Sequence, residues 1–435
     1  LTGDLSGQAQ ALLAAARAAG ADVADTVLSI GASVSLQRRL GKVEETERAE
    51  ARELSLRVFV GRQSASVSAS AIDPGSFARL AEQAVAMARV VPADPYAEIP
   101  DAPAPMDAAL LDVDDPAEPA AEILMARAAM AEAAAMAVPG ITNSEGASAS
   151  WSRETVILAT TRGFLGEYTR SSHGVSATAI AGVGTGMQRD YDYSAAAHGA
   201  DLEDPAALGK RAAERALARM NPARPKTAKM PIIFDPRVAG SFLGHLSSAI
   251  SGAAIARGTS FLKDEMGAAI FAPGVQVIDE PHRRRGRRSR AFDRDGMPGE
   301  RRHFIADGRL TSWVLDTRSA NQLGLRSTGN AGGVSNFYFG PGIVSPAELM
   351  ADIKEGLYVT EMIGMGVNGI TGDYSRGAAG FMIRDGQLAE PVAEFTIAGN
   401  LKQMFACLTL ADDLVFKRGI DAPTLRIDGM TLAGA

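Results

Sequence analysis

"FDPRVAGSFLGHLSSAISGAAIARG", Phe234 to Gly258, is the stretch whose reading decides the fold of the second half of this chain. Asp235-Pro236 reads as a helix start. Asp caps the first turn, and Pro at the first helical position gives up an N–H that would have no partner there. From there Val238, Phe242, Leu246, Ala249 and Ala253 recur at the 3.6-residue period and define an apolar stripe. Ser241, Gly244, Ser248, Ser251 and Gly252 define a neighbouring face of small residues, and His245 falls at the border of the two. The pattern predicts one helix over 236–256, entered from the apolar strand "MPIIF". Beyond it glycines become dense, and short β-like runs such as "GVQVIDE", "RHFIADGRLTSWVLD" and "GFMIRDGQLAEPVAEFTI" recur with Asp-Gly turns. The expectation for 226–435 is a mainly β, barrel-like domain with one central helix.

Upstream, "NPARPKTAK", Asn221 to Lys229, places two prolines and three basic residues between a helix and a strand, and reads as a domain boundary. Residues 1–225 alternate alanine-rich helical patterns, near Gln8–Ala19, Gly75–Val90, Pro119–Met136 and Pro205–Met220, with β-patterned stretches. "ELSLRVFVGRQSASVSAS" is a hairpin turning through Gly61-Arg62-Gln63, and "TVILATTRGFLGEY" a second one turning at Thr161-Arg162-Gly163, within a meander from Gly140 to His198. The fold class is α+β: an antiparallel sheet covered by helices, then the barrel-like domain. Residues 99–120, rich in Pro, Ala and Asp, read as an exposed connector inside the first domain.

The chain has 435 residues, is 46% hydrophobic and carries a net charge of -7, so it buries sizeable cores and offers no general attraction to nucleic acid or anionic membrane. One cysteine, Cys407, rules out an internal disulfide framework and fits a reducing compartment; in "MFACLTL" it reads as a core thiol. Without an apolar run of about 18 residues, or a charged and then apolar leader pattern around Asp4, the expectation is a cytoplasmic protein.

A zincin-type site needs two histidines on one helical face and a glutamate to act as general base. No acidic residue lies between Pro236 and Arg257, and His173, His198, His282 and His303 show no ligand spacing. His245 is left with two readings, a half-buried ring bonding a backbone carbonyl or a group in a substrate groove. "GITGDYSRGAAGF" offers Asp373, Tyr374 and Arg376 beside glycines. It suits a strand edge that accepts an extended peptide, with Arg376 available for a carboxylate, or a tight turn whose Asp and Arg satisfy each other. "GVGTG" and "GNAGG" lack the remainder of a nucleotide fingerprint and read as turns. "PHRRRGRRSR" packs six arginines into ten residues beside Asp279, Glu280, Asp293 and Asp295. It reads as a solvated loop with local ion pairs, or as a contact for an acidic partner or nucleic acid. Ser260 and Lys263 in "SFLK" have no oxyanion or strained-turn context to support a nucleophile.

Three long ordered segments resemble the PmbA/TldE branch of the TldD/PmbA family. They are "FDPRVAGSFLGHLSSAISGAAIARGTSFLKDEMG", "FDRDGMPGERRHFIADGRLTSWVLDTRSANQLGLRSTGNAGG" and "VNGITGDYSRGAAGFMIRDGQLAEPVAEFTIAGNL". The likeness extends over essentially the whole chain. The family, once labelled modulators of DNA gyrase, is associated with a TldD and TldE pair acting as a heterodimeric metallopeptidase on peptides and unfolded polypeptide. The TldD branch carries H-E-x-x-x-H on this helix. Laid over it, Gly244 and Ala249 stand at the ligand positions and His245 at the glutamate. "KRGIDAPTLRI" also lacks the cysteine ligand that TldD-type chains have near the C-terminus. The resemblance implies a metal-free, non-catalytic subunit, with zinc expected in a TldD-type partner, peptides as substrates and a homodimer possible when isolated. Two alternatives stay open: a standalone homodimeric peptide- or protein-binding protein, and a regulator directed at DNA gyrase or DNA through the 283–290 arginine cluster.

Overall fold

The computed structural model describes residues 4–434, so residues 1–3 and 435, the extreme ends of the two predicted domains, lie outside the described residues. The N-terminal half is built on one six-stranded antiparallel sheet in the order β3-β2-β1-β4-β5-β6. Its strands are β1 (Val23–Arg39), β2 (Lys42–Val60), β3 (Gln63–Ala69), β4 (Ile141–Thr160), β5 (Leu165–Ala181) and β6 (Gln188–Ala196). Helices α1 (Leu5–Ala18), α2 (Phe77–Ala88), α3 (Ala121–Met136) and α4 (Pro205–Ala218) form within a few residues of their predicted spans. Period-2 alternation puts Leu28, Ile30, Val34 and Leu36 of β1 on one face. α1 and α2 cover the first pair and α3 and α4 the second, so both helix pairs lie along the same face of the long strands. Both predicted hairpins form, with Val60 opposite Gln63 and Ala159 opposite Leu165. β1 and the first half of β2 are not among the predicted elements. β1 hides its alternation behind Ser and Gly, and Lys42–Glu53 is charged and almost wholly exposed because it is an edge.

The 99–120 stretch is exposed over much of its length but is pinned at three buried positions. Ile99, Leu111 and Val113 are buried. Leu111 and Val113 pack with Leu158, Phe164 and Phe292, on the side of the sheet away from the helices, and the Ser171 N–H donates to the Val113 carbonyl. Three apolar side chains spaced among prolines and aspartates are enough to pin the segment.

The second half opens with β7 (Ala228–Phe234) and α5 (Pro236–Ala249), capped as expected by Asp235 Oδ1 accepting from the Arg237 N–H. The predicted single helix over 236–256 is broken. After Ile250 the Gly252 N–H turns away to the Val314 carbonyl, and Ser251, in extended backbone, caps a separate short helix α6 (Gly252–Ala256). Ser251 is a strong N-cap residue, and a Cβ on Gly252 would stand 2.3 Å from Ser319 Oγ, so the small residues mark a crossing rather than helix interior. The remaining elements are β8 (Val277–Asp279), β9 (Arg302–Ala306), β10 (Arg309–Leu310), α7 (Thr317–Leu323), β11 (Phe337–Phe339), α8 (Pro346–Met350), β12 (Glu355–Val367), β13 (Asp373–Arg384), β14 (Gln387–Asn400), α9 (Leu401–Ala406), β15 (Leu408–Leu410), β16 (Ile420–Asp421) and β17 (Leu425–Ala433). Strands β14-β13-β12-β7-β17 close into a barrel through the β14–β17 pairing, and β10-β9-β8-β11-β16 form a second, smaller sheet. α5 packs against strands of both, and its Phe242, Leu243 and Leu246 sit in one continuous core with Phe234, Phe304, Phe337 and Ile397. Cys407 is exposed at the C-terminal end of α9, not a core thiol. The helix turns its apolar Leu401, Met404 and Phe405 inward and leaves the capping position outside.

Candidate functional site

The site grows from α5. His245 lies one turn beyond Phe242 on α5. Its ring meets Tyr374 of β13 edge-on, with centroids 5.9 Å apart, and Phe242 at 6.5 Å. Its Nε2 is buried without a partner among the described residues, which corrects the expectation of a bond to a backbone carbonyl. Burial pulls the imidazole below its ordinary value, and the nearby Arg376 cation lowers it further, so the ring is neutral at pH 7. Tyr374 is buried, its hydroxyl 3.0 Å from Met362 Sδ, and burial pushes the phenol up.

Alternation along β13 decides which predicted residues meet. Tyr374 and Arg376 share the face that meets α5, whereas Asp373 points the other way and accepts from Thr371 Oγ1 and Asn400 Nδ2. Asp373 therefore leaves the candidate cluster, and the tight turn in which it satisfies Arg376 does not form. β13 is also not an edge, because Tyr374 and Ser375 pair with β12 on one side and with β14 on the other. The open edge belongs to β12. Parallel β7 accompanies it only from Leu357 to Val359, and from Thr360 to Val367 that side has no strand partner among the described residues.

This edge borders a cavity of about 610 Å³ between the N-terminal sheet and α5, lined by residues that include Arg189, Arg219, Arg237, Arg288, Arg376 and Arg418. Asp190 and Glu361 are the acids in the lining. Buried Asp190 joins the halves, lying 3.5 Å from Arg219 at the end of α4 and 2.7 Å from Arg237 at the start of α5, and Arg219 also pairs with Glu361. Arg418 donates to the Tyr193 hydroxyl at 2.6 Å and to the Pro236 carbonyl at 3.1 Å, and Arg288 to the Val334 carbonyl. Arg376 Nε is buried without a partner, and the guanidinium groups of Arg288, Arg376 and Arg418 meet no carboxylate among the described residues. Arg288 is exposed as a residue, and partial desolvation of its guanidinium, reinforced by Arg290, pulls it below its ordinary value.

Of these residues the sequence reading singles out Arg376 and, within the 283–290 arginine cluster, Arg288. The others come from five separate segments. The one local signal was "QRDYDYSAA", where acids alternating with tyrosines mark a strand with a buried acidic face.

Gly244 and Ala249 carry no donor atoms, and a Cβ on Gly244 would meet nothing within 4 Å. No group of three or more His, Cys, Asp or Glu among the described residues is arranged to hold a metal ion. The side chains at the helix positions where the family resemblance places ligands therefore do not fit a zinc ion.

The arginine cluster is largely exposed, but its ion pairs are mostly distant in sequence rather than local. Arg285 reaches Asp112 at 2.6 Å and Asp201 at 2.9 Å, Arg284 reaches Asp112 at 2.8 Å, and Arg290 donates to the Gly329 and Gly333 carbonyls. Only Arg283 with Glu280 makes the expected local pair, and Arg283 also stacks on Phe416 at 3.3 Å. Asp279 and Asp293 instead accept from Ser335, Asn330 and backbone N–H groups. The cluster staples the C-terminal half to the 99–120 segment. Ser260 is buried with its hydroxyl on the Ala249 carbonyl, and Lys263 pairs with Asp264, so no nucleophile and base pair exists there.

The architecture is a helix-covered antiparallel sheet packed on a five-stranded barrel, with α5 at the junction. Family models described as PmbA/TldA metallopeptidase domain 1, central domain and C-terminal domain match residues 24–88, 114–220 and 227–434. The chain belongs to the PmbA/TldD family. It is 36% identical to metalloprotease PmbA of Escherichia coli O157:H7, over 97% of this chain and 94% of that one. It is 32% identical to a PmbA homologue of Haemophilus influenzae, again over 97% and 94%. Among solved structures, a protein of Bacteroides thetaiotaomicron described as a modulator of DNA gyrase superposes with a TM-score of 0.91 at 24% identity, covering both chains fully. TldE from Thermococcus kodakarensis superposes with a TM-score of 0.87 at 18% identity, over 98% of this chain and all of that one. At these identities the two structures speak for the fold alone. No helix among the described residues is long and apolar enough to cross a membrane.

Proposed function

We propose that this chain is the non-catalytic, metal-free subunit of a cytoplasmic heterodimeric peptidase, shaping a cavity in which extended peptide is presented to the metal of a TldD-type partner. The observation that carries the reading is the α5 helix, which keeps its cap, its packing and its place at the junction but bears Gly244 and Ala249 where ligands are needed. Without them this chain supplies neither a Lewis acid nor a lowered water pKa, the two means by which such a metal opens an amide near neutral pH. His245, Tyr374 and Arg376 then serve as wall rather than as reacting groups. The assignment of the arginine cluster to internal ion pairs favours this reading over one directed at DNA.

The test is reconstitution. The purified chain is expected to leave peptides intact, to bind no stoichiometric zinc, and to raise hydrolysis when mixed with a TldD-type protein in a 1:1 complex. Stoichiometric zinc in the isolated chain, or hydrolysis by the partner that is unchanged on mixing, overturns it.

A further inference from the structure

The cavity between the halves combines two features to which the proposed function gives no ligand. One is a set of guanidinium groups without carboxylate partners, Arg288, Arg376 and Arg418; the other is the unpaired side of β12 from Thr360 onward, whose Thr360, Glu361 and Met362 line the same space. A buried guanidinium without an anion is costly, because its charge has lost water and gained nothing in return. Arg376 is half-buried, and it is its Nε that is closed off from water with no hydrogen-bond partner among the described residues. Arg219 and Arg237 occupy the two acids of the lining that face them, Asp190 and Glu361, so the remaining cations keep an uncompensated field. An open strand edge offers backbone N–H and C=O groups in register for an added extended segment. Planar guanidinium forks match carboxylates through paired charge-assisted hydrogen bonds. The volume, about 610 Å³, lies in the range of sites that enclose a small ligand.

We infer that this cavity is a carboxylate-binding subsite, which takes a peptide carboxylate on Arg376 and Arg418 while the peptide backbone adds to the free edge of β12. The peptide as ligand rests on the proposed function; the anion site itself does not. The carboxylate can be the free C-terminus or an acidic side chain, and the chemistry of the site is the same for both. Glu361 and Asp190 stay engaged with Arg219 and Arg237 and keep the site from being indiscriminately cationic.

Binding to the isolated full-length chain is measured by calorimetry with three short alanine-rich peptides. One has a free C-terminus, one is C-terminally amidated with a single Glu, and one is amidated and neutral. The free-carboxylate peptide, the Glu peptide or both are expected to bind at least about tenfold more tightly than the neutral one, the size expected for a charge-assisted pair. Arg376→Gln and Arg418→Gln should each remove most of that difference, and Arg376→Lys should keep part of it. Arg224→Gln, at the exposed pair with Glu394, should change nothing. Unfolding curves accompany each variant, so a loss of binding counts only for a folded chain. N-methylation of alternate peptide amides should weaken binding in one register and not in the other. Equal binding of the neutral peptide, no binding of any peptide, or binding indifferent to both glutamine variants overturns the subsite; indifference to N-methylation in both registers overturns the edge pairing. Because no partner is present, this result is separate from reconstitution: hydrolysis can fail with the subsite intact, and the subsite can fail with hydrolysis intact.

Discussion

The two halves of the molecule reach stability by opposite means. The N-terminal half divides its core among several clusters, one of which consists of Ala135, Ala179, Ala181, Ala212, Ala213 and Ala216. There α3 and α4 approach so closely that a Cβ on Gly209 would stand 1.9 Å from the Ala131 carbonyl oxygen. The C-terminal half holds one large core, beside a small cluster around Ile233 and Ile383, and in the large core Phe234 meets Phe242 edge-on at 4.8 Å and Phe271 stacks on Phe405 at 4.6 Å. Alanine-packed layers have no atoms to spare and no room to gain any; ring-packed cores depend on volume. The first half should therefore be hurt by added atoms and the second by lost ones.

The largest effect expected is from Phe242→Ala, which removes a fully buried ring from α5 and should cost about 3–5 kcal/mol, read as a lower denaturant midpoint. A loss below about 1 kcal/mol would break the picture of one volume-dependent core.

Next is Asp293, buried in the second half facing the N-terminal sheet. Burial lifts its carboxyl to about 6, although the N–H groups of Asp295, Met297 and Ala331 donate to it. The folded pKa lies above the unfolded value, so the folded state holds the proton more tightly and this residue's contribution is fully present below about pH 4. It is lost as pH rises through about 6. Compared with the parent chain, Asp293→Asn should gain in relative stability from pH 4 to 7, by an amount on the order of 3 kcal/mol, followed by denaturation at each pH. A flat difference would place the shift elsewhere.

The smallest effect expected is at Gly209. Alanine there gains about 1 kcal/mol of helix propensity, but the contact with the Ala131 backbone cannot yield as a flexible side chain would. The net should be a loss of about 1–3 kcal/mol in thermal or chemical unfolding. A stabilised Gly209→Ala chain would show that α3 and α4 have slack.

Legibility followed the same division. The helices α1 to α4 and the hairpins around Gly61 and Gly163 were readable because their periodicity and turn residues lie within a few positions of one another. β1 was not readable, since Ser29, Gly31, Ser33 and Ser35 replace the polar contrast that marks a half-buried strand. In the second half the start of α5 was clear from Asp235-Pro236. Its end was not, because the Gly252 N–H leaves the helix for the Val314 carbonyl, a partner distant in sequence. Among the candidate site residues, His245, Tyr374 and Arg376 meet and Asp373 does not, a separation that follows from strand alternation once β13 is placed.

What the sequence determined by itself is local. Capping, periodicity and turn chemistry set the α+β class, and the residue types at 244 and 249 leave the helix without metal-donor atoms in any tertiary setting. The tertiary structure decided which distant groups share a space. Asp190 couples α4 to α5, Arg284 and Arg285 staple the halves together, and Arg288, Arg376 and Arg418 converge on one cavity. No short-range pattern encodes such a meeting, because it depends on how two independently patterned halves pack, and the energy of a buried charge depends on every partner that packing brings within reach.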